Sequence, residues 1–325
     1  MERKSGQLKV SLGEIEDRER YSISFPQESE ALKGSLREVG LLEPLLLRQT
    51  EEGFELVCGA KRLKALEELG HKEAEARVFR AGELTEGQAV RMAVAHNLPH
   101  GLNLMEKARA AERLERLGVP QEEVIGRWLP LMGLQPHKGL WAKLKALLRL
   151  PEGIQTYLVE QGLSLSASLE FLPFEAEELE AVEGMLRSLR PGENKLKEVL
   201  RHLLEVSRRE GISAACLLEQ AREIWDQRER PRVQRLEGLR RWLRRRRYPR
   251  FSSLEEEFRK FKASLHLPPE VAFHHPPFFE GEEFRIELRF RDREGLKEAA
   301  ERLLRVAQGL AAPPTDPLRR FKGLP

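Results

Sequence analysis

Aromatic residues are scarce in this chain, 6% of 325 residues, which argues against one large, aromatic-rich enzyme core. Cysteine is scarcer still: Cys58 and Cys216 lie far apart and outside any Cys-x-x-Cys, so neither a disulfide framework nor a thiolate zinc site is indicated. No charged-then-apolar leader is recognisable at the N-terminus, and no apolar run approaches the roughly 18 residues of a membrane span. A cytoplasmic protein without membrane attachment is expected. The phosphate loop Gly-x-x-x-x-Gly-Lys-Ser/Thr, the dinucleotide turn Gly-x-Gly-x-x-Gly and the Gly-x-Ser-x-Gly elbow are all missing. His96 and His100 make an i,i+4 pair, but without a Glu and a third His on that face no metal site is expected.

Net charge is also small, +3 from 56 Lys and Arg against 53 Asp and Glu. Taken alone, this balance argues weakly against a nucleic-acid partner. The distribution argues the other way. Residues 228–250 hold eleven arginines and two glutamates, a local +9 that leaves the rest of the chain near −6. Part of the opposing charge lies at Glu170 to Glu183, with six glutamates and no base.

The length suits two domains, or three small ones. The first 80 residues alternate strand and helix patterns. Leu8 to Val10, Tyr21 to Phe25, Leu45 to Leu47, Phe54 to Cys58 and Ala76 to Phe79 read as strands. Helices are expected over Glu28 to Val39, with Leu32, Leu36 and Val39 on one face, and from Gly59 to Gly70. From Glu86 to Arg247 the helical period dominates, broken by Gly and Pro at turn-like spacing. Asn103 with Glu106 has the capping-box pattern. Leu196, Val199, Leu200, Leu203 and Leu204 form an apolar stripe suited to a bundle or a dimer surface. After Phe251 come a helix at Leu254 to Leu265, a strand alternating Phe284, Ile286, Leu288 and Phe290, and a helix at Glu294 to Gln308. The proline-rich tail from Ala311 is expected to be loose.

Four constellations carry chemistry. A strand ending at Gly59 and opening into a helix aims backbone N–H groups at one point, and Lys61 and Arg62 add charge there. That is an anion site, or equally a helix with solvated basic residues. His96-Asn97-Leu98-Pro99-His100 is a polar cluster, or simply a helix stop. Val119 to Met132, the turn Gly133 to Pro136 and the helix His137 to Leu150 make a helix-turn-helix candidate. Its second helix turns Lys138, Lys143, Lys145 and Arg149 outward and has no acid, although many exposed helices look similar. Arg240, Arg241, Arg244, Arg245, Arg246 and Arg247 flank Trp242. Acids at i,i+4, which a solvated face normally mixes in, are nearly absent, which favours a phosphate backbone.

The succession Gly40-Leu41-Leu42-Glu43-Pro44, Leu45 to Arg48, Phe54 to Cys58, Gly59-Ala60-Lys61-Arg62 with Ala65, and Leu69-Gly70 resembles the N-terminal domain of ParB-type partition proteins. That domain shares its fold with sulfiredoxin. The likeness continues through Asn97 and Leu102 to Ala108, then Leu148 to Gly162 and the Gly162-Leu163-Ser164 turn, and is strongest from 36 to 164. The helix, strand, strand, helix succession after 250 is similar to that family's dimerisation domain. The resemblance implies a homodimeric clamp that binds CTP with Mg²⁺ in its N-terminal domain and double-stranded DNA through the helix-turn-helix. In such a clamp, nucleotide binding closes the N-terminal gate.

Carried over residue by residue, the nucleotide-binding positions are Gly59, Lys61, Arg62 and Asn97. Lys61 stands where the family's Gly-x-Arg-Arg has its first Arg, keeping the charge but losing the bidentate fork. Asn97 matches the Asn of Glu-Asn-x-x-Arg, whereas His96 and His100 replace its Glu and Arg, and Ala60 replaces the Glu of Gly-Glu-Arg-Arg. The Gln-Pro-Arg segment is not recognisable in Tyr21 to Gln27. Weakened CTP binding with little or no hydrolysis is therefore expected, and no catalytic residue is assigned. A long basic arm is absent or shortened at Met1 to Val10, which leaves a partition ATPase partner doubtful.

The expected architecture is α+β and multidomain. A small ParB/sulfiredoxin-like α/β domain occupies 1–84. An all-helical DNA-binding middle follows at 85–250, with the helix-turn-helix near 119–150 and a basic helix at 228–250. A small αββα dimerisation domain at 251–310 and a flexible tail at 311–325 complete it. The expected role is a nucleoid-associated DNA-binding protein of chromosome or plasmid partition. Two other readings stand beside it: an enzyme on the same fold, a nuclease or phosphoryl-transfer protein, and a protein-interaction scaffold docking through Glu170 to Glu183.

Overall fold

The computed structural model describes residues 7–25, 30–310 and 318–322. The chain divides into two compact units, one holding residues up to 204 together with 212–222, the other 205–211 and 223 onward. The basic segment at 228–250 therefore groups with the C-terminal sheet rather than with the helical middle.

In the first unit β1 (Gln7–Ser11), β2 (Ile15–Asp17), β3 (Leu45–Gln49), β4 (Phe54–Cys58) and β5 (Glu73–Phe79) build a mixed sheet in the order β1-β5-β3-β4-β2. Strand alternation decides which face each side chain takes. Leu45, Leu47 and Leu56 join Leu36 of α1 (Glu30–Val39) and Leu63 and Leu66 of α2 (Ala60–Glu68) in one apolar cluster. Val57 and Cys58 belong to a second cluster with α3 (Glu86–Asn97) and α4 (Leu104–Arg116). Both faces of β4 are thus covered. The β3–β4 turn is closed by the Thr50 N–H, which donates to the Gly53 carbonyl at 2.9 Å. Glycine is required at 53, because a Cβ would lie 2.8 Å from the Glu14 carbonyl oxygen. Val39 does not join the α1 stripe and is 54% exposed.

One expected strand does not form. Tyr21 to Phe25 is buried along its whole length but is not a strand. Its backbone is bonded by side chains of the Asn103–Arg109 stretch. The Phe25 N–H donates to Glu106 at 3.2 Å, the Asn103 amide donates to the Phe25 carbonyl at 2.6 Å, and Arg109 donates to the Ser24 carbonyl at 2.8 Å. Buried backbone groups need partners, and here α4 supplies them in place of a neighbouring strand. The place beside β4 is taken instead by β2, which the sequence pattern did not reveal.

Capping boxes open α3 (Thr85 with Gln88) and α4 (Asn103 with Glu106). Next come α5 (Gln121–Glu123), a π-helical segment (Val124–Trp128) and α6 (Leu129–Leu131), then, after a turn, α7 (Lys138–Leu147). The unit continues with α8 (Glu152–Glu160), α9 (Leu165–Ser168), α10 (Ala176–Leu189), α11 (Glu193–Glu210) as far as residue 204, and α12 (Ala214–Gln220). The stripe of Leu196, Val199, Leu200 and Leu203 on α11 is buried, which makes it core rather than open surface.

The second unit takes in α13 (Arg222–Trp225), α14 (Arg232–Arg247), α15 (Pro249–Ser264), β6 (Val271–His274), β7 (Arg285–Leu288) and α16 (Arg293–Leu310). The αββα order is as expected, with β6 and β7 antiparallel and Phe273 opposite Ile286. Phe258, Phe261, Phe273, Phe279 and Phe321 form its aromatic core. The expectation of a loose tail falls partly outside the described residues, at 311–317 and 323–325. Within the tail, Phe321 is fully buried.

Candidate functional site

Gly59, Arg62 and Asn97 line one cavity of about 300 Å³ in the first unit, together with Tyr21, Ser24, Glu43, Cys58, Lys61, His96 and His100. Gly59 ends β4 and caps α2 with φ of 107°, a left-handed conformation open to glycine. A Cβ there would come within 2.8 Å of a Leu45 methyl and 3.3 Å of the Arg62 Nε. No side chain caps α2, so its first-turn N–H groups are left to the cavity.

Arg62 is the anchored cation of the site. Its guanidinium donates to the Glu43 carbonyl at 2.7 Å and the Pro44 carbonyl at 3.2 Å, and it pairs with the Glu43 carboxylate at 3.2 Å. Burial presses its pKa below the ordinary value, with Glu43 opposing. His96 lies 3.7 Å from the same Glu43 carboxylate, and its ring centroid is 6.2 Å from that of His100. Burial first, then the Arg62 cation, hold His96 below its ordinary pKa, leaving the imidazole neutral near pH 7. Burial pushes the Cys58 thiol up to about 12, so it stays protonated.

Two of the four expected nucleotide ligands are otherwise engaged. Lys61 donates to Glu106 at 3.1 Å, and the Asn97 amide donates to the Ala93 carbonyl of its own helix at 2.8 Å. Glu106, 6% exposed, therefore serves three groups at once: the Phe25 N–H, the Asn103 N–H and Lys61. Glu106→Ala is expected to destabilise the chain by about 3 kcal/mol, since it strips several buried donors of their acceptor. Urea unfolding checks this: a midpoint that does not move at constant slope contradicts it.

The donor set suits the phosphates of a nucleotide, with backbone N–H groups, one fixed guanidinium and two nearby imidazoles. Among the described residues no group of three His, Cys, Asp or Glu could hold a metal ion by protein ligands alone. Glu43 is the residue that sequence reasoning passed over. Its only signal was its place in the Gly-Leu-Leu-Glu-Pro motif, beside a strand start.

The second candidate surface lies on α7. Trp141, Leu144 and Leu147 face the core, whereas Lys138, Lys143 and Arg149 are exposed. Lys145 is not available in the same way: it pairs with Glu115 at 2.8 Å and sits 3.5 Å over the Trp141 ring. In the preceding helical segment Glu123 receives two bonds from Arg91 of α3, at 2.9 and 2.6 Å, and one from the Trp128 indole at 3.1 Å. Those bonds hold its carboxyl down to about 2.

The arginine cluster is less open than its composition implies. Arg240 pairs with Glu237 and Arg244 with Glu255, while Arg246 and Arg247 pair with Glu210 and Glu205. Arg241 and Arg245, one turn apart, are exposed and make no ion pair among the described residues. The acidic stretch is likewise partly spent. Glu170 pairs with Arg201, Glu183 with Arg187, and Glu178 accepts the Ala214 N–H.

Comparison with known proteins adds the following. Residues 5–98 match the family model described as the ParB N-terminal domain. The chain is 40% identical over 105 residues to the chromosome-partitioning protein Spo0J of Thermus thermophilus, a stretch covering 32% of this chain and 38% of that one. It is 42% identical over 100 residues to a probable plasmid-partitioning protein ParB of the same organism, covering 30% and 33%. These alignments span less than half of either relative's length. A solved structure of C-terminally truncated ParB from Caulobacter crescentus, complexed with CTP-gamma-S, matches with 23% identity and a TM-score of 0.26, covering 55% of this chain and 98% of that one. Residues 5–98, which carry the five-stranded sheet, are thus similar to the ParB N-terminal domain family.

Proposed function

We propose that this protein is a ParB-like DNA-binding protein of chromosome or plasmid partition or nucleoid organisation. On this reading it is a homodimer that holds double-stranded DNA and carries a degenerate CTP site. The observation that carries the reading is that Gly59, Arg62 and Asn97 line one cavity within the segment matched to the ParB N-terminal domain. The start of α2 and Arg62 would hold the phosphates of a bound CTP, and an accompanying Mg²⁺ would supply charge neutralisation to them. Hydrolysis is weak or absent on this reading, because His96 and Ala60 stand where the family's motifs carry glutamate.

Duplex DNA is held by Lys138 and Lys143 on α7, by Arg149 just beyond its end, and by Arg241 and Arg245 on α14. Dimerisation uses the apolar surface left open on the C-terminal part, where Ile286 is 45%, Phe290 54% and Leu304 59% exposed. Gln7–Ser11 is strand β1 rather than part of a free arm, and no described helix is long and apolar enough to cross a membrane.

The test is anisotropy of labelled duplex DNA over a salt series, with calorimetry of CTP binding. DNA affinity that ignores salt sinks the reading. CTP binding also carries a pH signature. His96 is neutral in the free site, and a bound polyanion favours its protonated form, so binding takes up a proton and tightens as pH falls from 7.5 towards 5.5. The gain is at most about tenfold per pH unit per proton. His96→Gln should flatten the curve relative to the parent protein, and parallel curves for the two rule out the role.

A further inference from the structure

A second cavity, of about 530 Å³ and wholly within the second unit, is lined by Arg244, Tyr248, Arg250, Phe251, Phe278 and Glu280. Its walls are aromatic and its rim is basic. Phe278 is 66% exposed and Tyr248 42%, in a chain where aromatic residues are few. The Phe278 and Phe251 rings tilt against each other with centroids 6.1 Å apart. The Arg244 guanidinium lies 5.5 Å from the Phe251 centroid, and Arg247 lies 4.7 Å from that of Tyr248.

Phe278 is held outward at a backbone cost. Its φ is 54° and that of Phe279 is 60°, an uncommon conformation for bulky residues. The neighbours have opposite fates. Phe279 is fully buried, stacked on His275 at 3.9 Å, while Phe278 remains at the surface. Burying Phe279 accounts for one ring and leaves the other unexplained. Of the two arginines that line the cavity, Arg244 pairs with Glu255 at 3.3 Å, whereas Arg250 is exposed and makes no ion pair among the described residues.

Exposed aromatic rings beside the exposed Arg250 guanidinium match one kind of ligand. A flat base stacks on the rings while its phosphates meet the arginines. Duplex DNA does not fit this lining, because its bases are already stacked on one another. We propose that this cavity seats an unstacked base of single-stranded DNA, lying on Phe278, with the backbone on Arg250. The Glu280 carboxylate at the rim then accepts from an exocyclic amine, which favours cytosine over thymine. Only the choice of DNA over RNA rests on the function proposed above.

The experiment uses the full chain and fluorescence anisotropy with labelled oligodeoxycytidylate, oligodeoxythymidylate, oligoribocytidylate and a duplex. Phe278→Ala should weaken oligodeoxycytidylate binding about tenfold, with Phe278→Tyr close to the parent and duplex affinity unchanged. Glu280→Gln should narrow the gap between cytosine and thymine. Equal affinity for Phe278→Ala and the parent overturns the proposal, as does far tighter binding of the ribo-oligomer. Sedimentation in parallel reads the remaining outcome: dissociation to monomers by Phe278→Ala makes the ring a protein interface and overturns it too. Loss of duplex binding with single-strand binding kept removes the duplex reading and leaves this one standing.

Discussion

Arg62→Ala is expected to weaken CTP binding by about 30- to 150-fold, the equivalent of about 2–3 kcal/mol for a charge-assisted contact in a sheltered site. The size follows from how the side chain is held. Both carbonyls of the Glu43-Pro44 step and the Glu43 carboxylate fix the guanidinium beside the cavity, so little ordering cost remains when a phosphate arrives. Arg62→Lys should recover only part of the loss, since an ammonium cannot span those carbonyls and a phosphate together. Glu43→Gln should move affinity the other way, by removing a negative charge from the path of the phosphates. Calorimetry on the three variants separates these outcomes. Thermal melts guard against a folding defect, because Arg62 also ties the loop before β3. Unchanged CTP affinity in Arg62→Ala means that the anion seat is elsewhere.

Replacing Lys138, Lys143 and Arg149 together with alanine is expected to lower duplex affinity by about 100-fold at physiological salt and to reduce the salt slope by about 3. Neutralising Arg241 and Arg245 should reduce the slope by about 2. The remaining cluster behaves differently. Arg246 and Arg247 are engaged with Glu210 and Glu205, and Arg209 donates to the carbonyls of both residues. Their replacement should register in the melting curve rather than in the salt slope. Lys145, held by Glu115 and Trp141, belongs with them. A salt slope that falls equally for Arg241/Arg245 and for Arg246/Arg247 contradicts this division.

The contrast shows what the sequence could and could not convey. Elements whose determinants are local were legible. Leu45 to Leu47 and Phe54 to Cys58 alternate around a polar turn, Asn103 and Glu106 cap their own helix, and Gly59 marks the strand-to-helix corner. Whatever depends on a partner far along the chain was not. Alternation at Tyr21 to Phe25 reads the same for a strand as for an extended strip, and only the bonds from Asn103, Glu106 and Arg109 distinguish them. β2 has three residues, too few to show a period. The absence of acids within the 240–247 turns suggested free arginines, but carboxylates come from Glu205, Glu210 and Glu255 on other helices, outside any i,i+4 rule. The candidate site was legible in its charged anchor, Arg62. It was illegible in Glu43, and in the diversion of Lys61 to Glu106.

The strip at Tyr21 to Phe25 also bears on how this domain can be inherited. The family match stops at residue 98, yet the groups that satisfy the strip lie at Asn103, Glu106 and Arg109. The span matched by the family model is therefore shorter than the unit that folds. An exchange of the first 98 residues between relatives would hand the recipient a strip whose hydrogen bonds belong to someone else's helix. Recombination that respects this protein's physics has to cut after Arg116, carrying α4 along with the sheet it stitches.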